Sequence, residues 1–304
     1  MKRLIPLMQR EWLQYRQGWA LMAGIPLGLS LLLLSFGQIQ IDAGEMGAAG
    51  AALPALLAAV SIAGSMVVLF AIAAMSSLVN VSNLARRDHA DRSIEFWLSV
   101  PTGHAESYAA PLVVHLLLVP AAALLIGMVG GYVLSFVVVC RVVDAAAWFG
   151  LPWPTIVAAS ISLLLRLLAG LPLALAWLSP LVLLVVLLTA WFRRWGWVIL
   201  TVGLGLGSYL LKLVFGQPWL NRISAELVKA AGHALINSDH GGMAVDGAAQ
   251  GVEALRLLPA WALEDFGAAL QALANPLLPG ALLFAAACYY LLVLWRSRGA
   301  GAAG

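Results

Sequence analysis

The chain has 304 residues, 62% of them hydrophobic and only 10% charged, with a mean hydropathy of +0.95 and a net charge of +3. That balance excludes a soluble globular fold and offers no basic surface for nucleic acid. Crossing a hydrocarbon core takes about 20 apolar residues, and every backbone N–H inside it must be satisfied within its own segment. The apolar runs lack the period-two alternation of an outer-membrane barrel, so the sequence predicts an all-α polytopic membrane protein. Cys140 and Cys288 both fall in apolar segments and supply no framework of bridges or metal ligands.

The first element is MKRLIPLMQREWLQYRQGW. Leu4, Met8, Trp12, Tyr15 and Trp19 share a helical face opposite Lys2, Arg3, Arg10 and Arg16, which predicts a basic interfacial helix over 1–18. The alternative is that this stretch extends the first span into water. Spans are predicted at 19–37, 55–82, 109–139, 172–191, 196–215 and 277–295. Between the third and fourth, residues 155–171 are apolar but carry Arg166, and Pro172 and Pro180 follow. A seventh span there would place Arg193 and Arg194 outside, so 155–171 is expected to lie in the outer interface with Arg166 snorkelling to headgroups.

Residues 216–276 form the longest connection. Leu220, Ile223 and Leu227, then Leu255, Leu258, Ala262, Phe266 and Leu270, predict two amphipathic helices around the turn-rich INSDHGGMAVDGAAQG, an outer helical cap before the last span. The tail 296–304 shows no pattern. Orientation follows from basic residues. With the N-terminus inside, Lys2, Arg3, Arg10, Arg16, Arg86, Arg87, Arg92, Arg193, Arg194, Arg296 and Arg298 are all inside, eleven of the seventeen. Both termini are expected in the cytoplasm.

Several chemistries find no residues. None of the three lysines, Lys2, Lys212 and Lys229, follows a glycine, so the chain holds no phosphate-binding loop of the GxxxxGK[ST] kind. There is no HExxH, and Ser208 in GLGLGSYLL has no His or Asp on a neighbouring turn, which makes it a packing residue. His233, Asp239, His240 and Asp246 sit in a glycine-rich loop without metal-ligand spacing. No carboxylate falls in the middle of a predicted span, and His115 in the third span is read as a hydrogen-bonded packing residue. Glycine pairs at four-residue spacing, Gly24 and Gly28, Gly127 and Gly131, Gly203 and Gly207, predict close helix packing within one subunit or between two.

One connection stands out, RRDHADRSIEFWLSVPTGHAES at 86–107, within the loop 84–108. Asp88 and Asp91 favour a helix start, and Pro101 disfavours helix at Val100. On the short helix between them Ile94, Trp97 and Leu98 share an apolar face that so short an element cannot bury alone. Either a protein groove or the lipid headgroups could receive it.

DRSIEFWLSVP, following Arg86 and Arg87 and lying between the second and third spans, resembles the cytoplasmic loop of bacterial ABC permeases of the type-2 exporter family. The matching residues are Asp91, Arg92, Ser93, Ile94, Phe96, Trp97, Ser99 and Pro101; Val100 stands where the family usually has Leu. AWFRRWGW at 190–197 is a second family-like feature, a basic turn between the fourth and fifth spans. The resemblance implies a permease subunit in the bacterial inner membrane, paired as a dimer with an identical or paralogous chain. Two copies of a separate ATPase subunit would bring ATP and Mg, and this chain would carry no cofactor and no catalytic residue. Asp91, Arg92, Ser93, Ile94, Phe96, Trp97, Leu98 and Pro101 would form a coupling helix docked on the ATPase, with Arg193 and Arg194 as an accessory contact. The competing classes are a membrane scaffold docking a non-ATPase partner and a membrane-embedded lipid-modifying enzyme, for which no converging polar groups are found. Peptide, lipid-linked glycan, amphiphile and ion all stay open as substrates.

Overall fold

A computed structural model describes residues 4–37, 52–84, 104–192, 195–237 and 251–301. All the regular elements among them are helical: α1 (Leu4–Phe36), α2 (Leu53–Ser82), α3 (His104–Val113, a π-helical turn Val114–Leu118, and Val119–Val142), α4 (Ala145–Phe149), α5 (Trp153–Phe192), α6 (Gly196–Phe215), α7 (Trp219–Leu235), α8 (Val252–Ala272) and α9 (Leu277–Gly301). Six of these, α1, α2, α3, α5, α6 and α9, are long and apolar enough to cross a membrane. The protein is an all-α polytopic membrane protein.

α5 is the axis of the molecule. Its 40 residues reach about 60 Å at 1.5 Å per residue, twice a hydrocarbon core, and α2, α6, α7, α8 and α9 all pack on it. Pro172 and Pro180 lie inside this helix without ending it. Pro180 has no N–H for the carbonyl of Ala176, and Ser179 Oγ donates to that carbonyl at 2.8 Å instead. The expected separate helix over 155–171 is therefore corrected: those residues are the first half of one continuous helix. Arg166 does not reach headgroups either. It is 2% exposed and bound within the fold.

α2 and α3 form the tightest pair. Gly127 and Gly131 make it possible, because a Cβ at either would stand 2.7 Å from Met66 Cα or 2.6 Å from Ile62 Cα. Ser65 Oγ donates across the seam to the Gly127 carbonyl. This glycine pair packs spans within one subunit. Gly24, Gly28 and Gly203 have no atom within 4 Å of a Cβ position, and the one at Gly207 meets the Leu220 side chain.

The interfacial helix expected over 1–18 is not a separate element, since α1 runs unbroken from Leu4 to Phe36. Its inward residues also differ from the expected stripe: Leu7 and Glu11 are buried, whereas Trp12 is 58% exposed. The cap over 216–276 contains its two helices. α8 lies on the first half of α5 and α7 along its middle, burying Leu227, Ala231, Ala234, Leu255 and Ala262; Leu220, Ile223 and Leu270 stay exposed. Gly216, in the left-handed region at φ 74°, ends α6 and turns the chain towards α7. Asn221 N donates to Ser208 Oγ at 2.8 Å, so Ser208 holds the first turn of α7.

Candidate functional site

The residues expected to couple the protein to a partner, Asp91, Arg92, Ser93, Ile94, Phe96, Trp97, Leu98 and Pro101, and the accessory Arg193 and Arg194, lie outside the described residues. Asp239, His240 and Asp246 do as well, and no group of three His, Cys, Asp or Glu able to hold a metal occurs among the described ones. What the structure does describe is the ground from which both connections leave.

Leu84 and Tyr108 flank the first connection, and both are buried in one apolar cluster. It is built from Val81 of α2, Val182, Val186, Leu187 and Ala190 of α5, and Cys288 and Leu292 of α9. Polar contacts fix the same platform. Thr189 Oγ1 of α5 donates to the Ser82 carbonyl, the last residue of α2. Tyr289 Oη of α9 donates to the Ala105 carbonyl at 2.7 Å, and the Arg296 guanidinium lies 5.2 Å from the centre of the Tyr108 ring.

The second connection starts beside it. A Cβ on Gly196, the first residue of α6, would stand 2.6 Å from Thr189 N, so only glycine lets α6 begin that close to α5. Both connections singled out in the sequence therefore leave the same end of the helix bundle, above one platform shared by α2, α3, α5, α6 and α9. A displacement applied to either is carried by packed helices, because a close-packed interior deforms little.

A buried polar pair joins α1 to α3 about two turns beyond Tyr108 of this platform. His115 Nε2 lies 3.4 Å from Glu11 Oε2, with His115 fully buried and Glu11 1% exposed. The rings of Tyr15 and Trp19 meet the imidazole edge-on, at centroid distances of 5.0 and 5.7 Å. His115 is in the π-helical turn, where Val119 N–H bonds to the Val114 carbonyl five residues back. Pro120 follows at once and cannot donate, and a proline ring crowds the carbonyl four residues before it. That crowding gives a physical cause for the wide turn, a feature common at functional sites. The hydrogen-bonded packing histidine expected from the sequence is buried as such, and its partner is a carboxylate on α1.

A second buried polar pair, here an ion pair, joins α5 to α8. Arg166 Nε donates to Asp265 Oδ2 at 2.7 Å and Nη1 donates to the Ala234 carbonyl at 2.9 Å, while Asp265 Oδ1 accepts from Asn237 N at 3.2 Å. Every strong partner of this guanidinium belongs to the fold, so it clamps α7 and α8 to α5.

Comparison of the chain with family models, with curated proteins and with solved structures returns no match.

Proposed function

We propose that the chain is the membrane-spanning permease subunit of an ATP-driven bacterial exporter of the type-2 ABC class. It would work as a dimer in the inner membrane with both termini cytoplasmic, and draw its energy from a separate ATPase subunit that binds ATP and Mg. The observation that carries this reading is DRSIEFWLSVP at 91–101, placed between the second and third apolar helices. Ile94, Trp97 and Leu98 are the face that docks in the ATPase, Asp91 and Arg92 set the start of the coupling helix, and Ser93, Phe96 and Pro101 complete the pattern.

The platform beneath the connection supports the reading. A coupling helix is useful only if its movement reaches the spans, and Leu84 and Tyr108, which flank the connection, are packed against α5 and α9 as well as on their own helices. Gly196, just after Arg193 and Arg194 in the chain, packs on Thr189 at the same end, which supports the two arginines as a second contact with the same partner.

The test is purification of the intact chain from its native membrane in mild detergent, with co-purifying proteins identified and ATP hydrolysis measured. A stoichiometric subunit with a phosphate-binding loop, lost on Trp97→Asp because the new carboxylate is desolvated in the docking groove, is the expected result. Recovery of the chain alone without hydrolysis, or with a non-ATPase partner, defeats the proposal and leaves the scaffold reading.

A further inference from the structure

Beyond its contacts with His115, α1 touches α3 at two further places and stands away from α2 between them. At the first, the Leu27 side chain lies against Gly130, where a Cβ would be 2.7 Å from Leu27 Cδ2. At the second, Arg141 Nη2 donates to the Gly37 carbonyl at 3.1 Å, at the far end of α1. Ten residues separate Leu27 from Gly37, about 15 Å of helix, or half of a hydrocarbon core and so the depth of one leaflet.

Between these contacts a groove of about 390 Å³ runs along α1, with α2 and α3 as its other walls. It exists because α2 presents Ser61, Gly64 and Ser65 there, side chains too small to meet Ser30 and Leu34. A Cβ on Gly64 would have nothing within 4 Å. Of the three serines that line it, Ser61 Oγ is engaged with the Leu57 carbonyl at 2.7 Å and Ser65 Oγ with the carbonyls of Ile62 and Gly127, which leaves Ser30 as the third. The groove is thus mostly apolar, and its rim residues Leu33 and Val60 are 62% and 67% exposed.

Apolar walls alone select nothing in a bilayer, since lipid tails are as apolar as leucine. Selection needs a polar group at the right end, and Arg141 supplies it. It is exposed, one helical turn beyond Val138 of the groove wall, and among the described residues it uses one of its five N–H donors, on Gly37. Asp144, a turn further on, caps α4 through Ala147 N. We infer that this groove is a binding site for one phospholipid, with an acyl chain between α1 and α2 and the phosphate on Arg141. Charge complementarity decides the occupant, because a guanidinium pairs with phosphate oxygens in a two-pronged geometry.

The full-length protein in nanodiscs of phosphatidylcholine and phosphatidylglycerol, read by native mass spectrometry after delipidation, tests it. One phospholipid per chain should survive in the wild type and in Gly203→Leu, which alters an equally open glycine elsewhere. Arg141→Gln should lower its retention about tenfold, the effect of one charge-assisted hydrogen bond, and Arg141→Lys should recover part of it. Gly64→Leu, which fills the groove, should abolish it. Equal retention in all five proteins overturns the inference. So does a groove occupied by detergent, by residues of the same chain or by a second copy.

Discussion

Arg166 and Asp265 join α5 to α8 through an ion pair with neither side chain exposed, Arg166 Nη2 lying 2.6 Å from Asp265 Oδ2. The pair also reaches the last carbonyls of α7 and the backbone of Asn237, so three helices meet on two side chains. Removing one partner leaves a desolvated charge that the other cannot balance. Asp265→Ala is therefore expected to cost roughly 3–5 kcal/mol, and Arg166→Met combined with Asp265→Leu much less than the two single changes added together. Thermal unfolding of the three variants in detergent, with proteolysis of the connection between α7 and α8 as a second probe, measures both. Additive losses would show that the two side chains act independently.

The glycine pairs make a sharper contrast, because the same residue type serves two purposes. At Gly131 a methyl group collides with the backbone of α2, and overpacking of this kind costs about 1–3 kcal/mol. At Gly24 and Gly28 a methyl group meets nothing. Gly131→Ala should lower the melting temperature clearly, while Gly24→Ala and Gly28→Ala leave it unchanged or raise it through helix propensity. A loss at Gly24 or Gly28 equal to that at Gly131 would place a further protein surface against α1.

How much of this was legible beforehand depended on whether the signal was local. Six apolar runs and two amphipathic cap helices follow from composition and period, and all are present. The junctions misled. Pro172, Pro180 and Arg166 read as interruptions, yet Ser179 replaces the hydrogen-bond donor that Pro180 lacks and Asp265, 99 residues away, neutralises the arginine. Partnership across that distance leaves no mark on local sequence. Glu11 did leave one: Leu7, Glu11, Tyr15 and Trp19 recur every four residues, a carboxylate on an otherwise apolar stripe. Following Leu4, Met8 and Trp12 instead rotated the helix by part of a turn. The tie between Leu84, Tyr108 and α9 was not legible at all, since it rests on helix packing.

Glu11 and His115 should be energetically coupled, as residues sharing a buried hydrogen bond normally are by 0.5–3 kcal/mol in either sign. A double-mutant cycle with Glu11→Gln and His115→Leu, read as thermal stability in detergent, isolates that energy. Either single change is expected to destabilise the protein by about 1–3 kcal/mol, the cost of stranding a buried polar group. The double variant should lose less than their sum. Strict additivity would mean that Glu11 is held chiefly by its other contacts and that α1 is not pinned at the π-helical turn.

The 86–107 connection and the one between α7 and α8 carry a topological prediction that does not depend on any partner. Six crossing helices with the first connection cytoplasmic place Ser99 inside and Ser238, between α7 and α8, outside. The native thiols are removed first, Cys140→Ser and Cys288→Ala; Cys288 is buried and packs against Leu292, so alanine suits its site. A membrane-impermeant maleimide on intact cells should then label a cysteine at Ser238 and not one at Ser99, and opened membranes should expose both. The excess of arginine and lysine on one set of connections is what predicts this sense of insertion. Reversed labelling would turn the 86–107 connection towards the outside, where no ATPase subunit could reach Trp97, and the exporter proposal would fall with it.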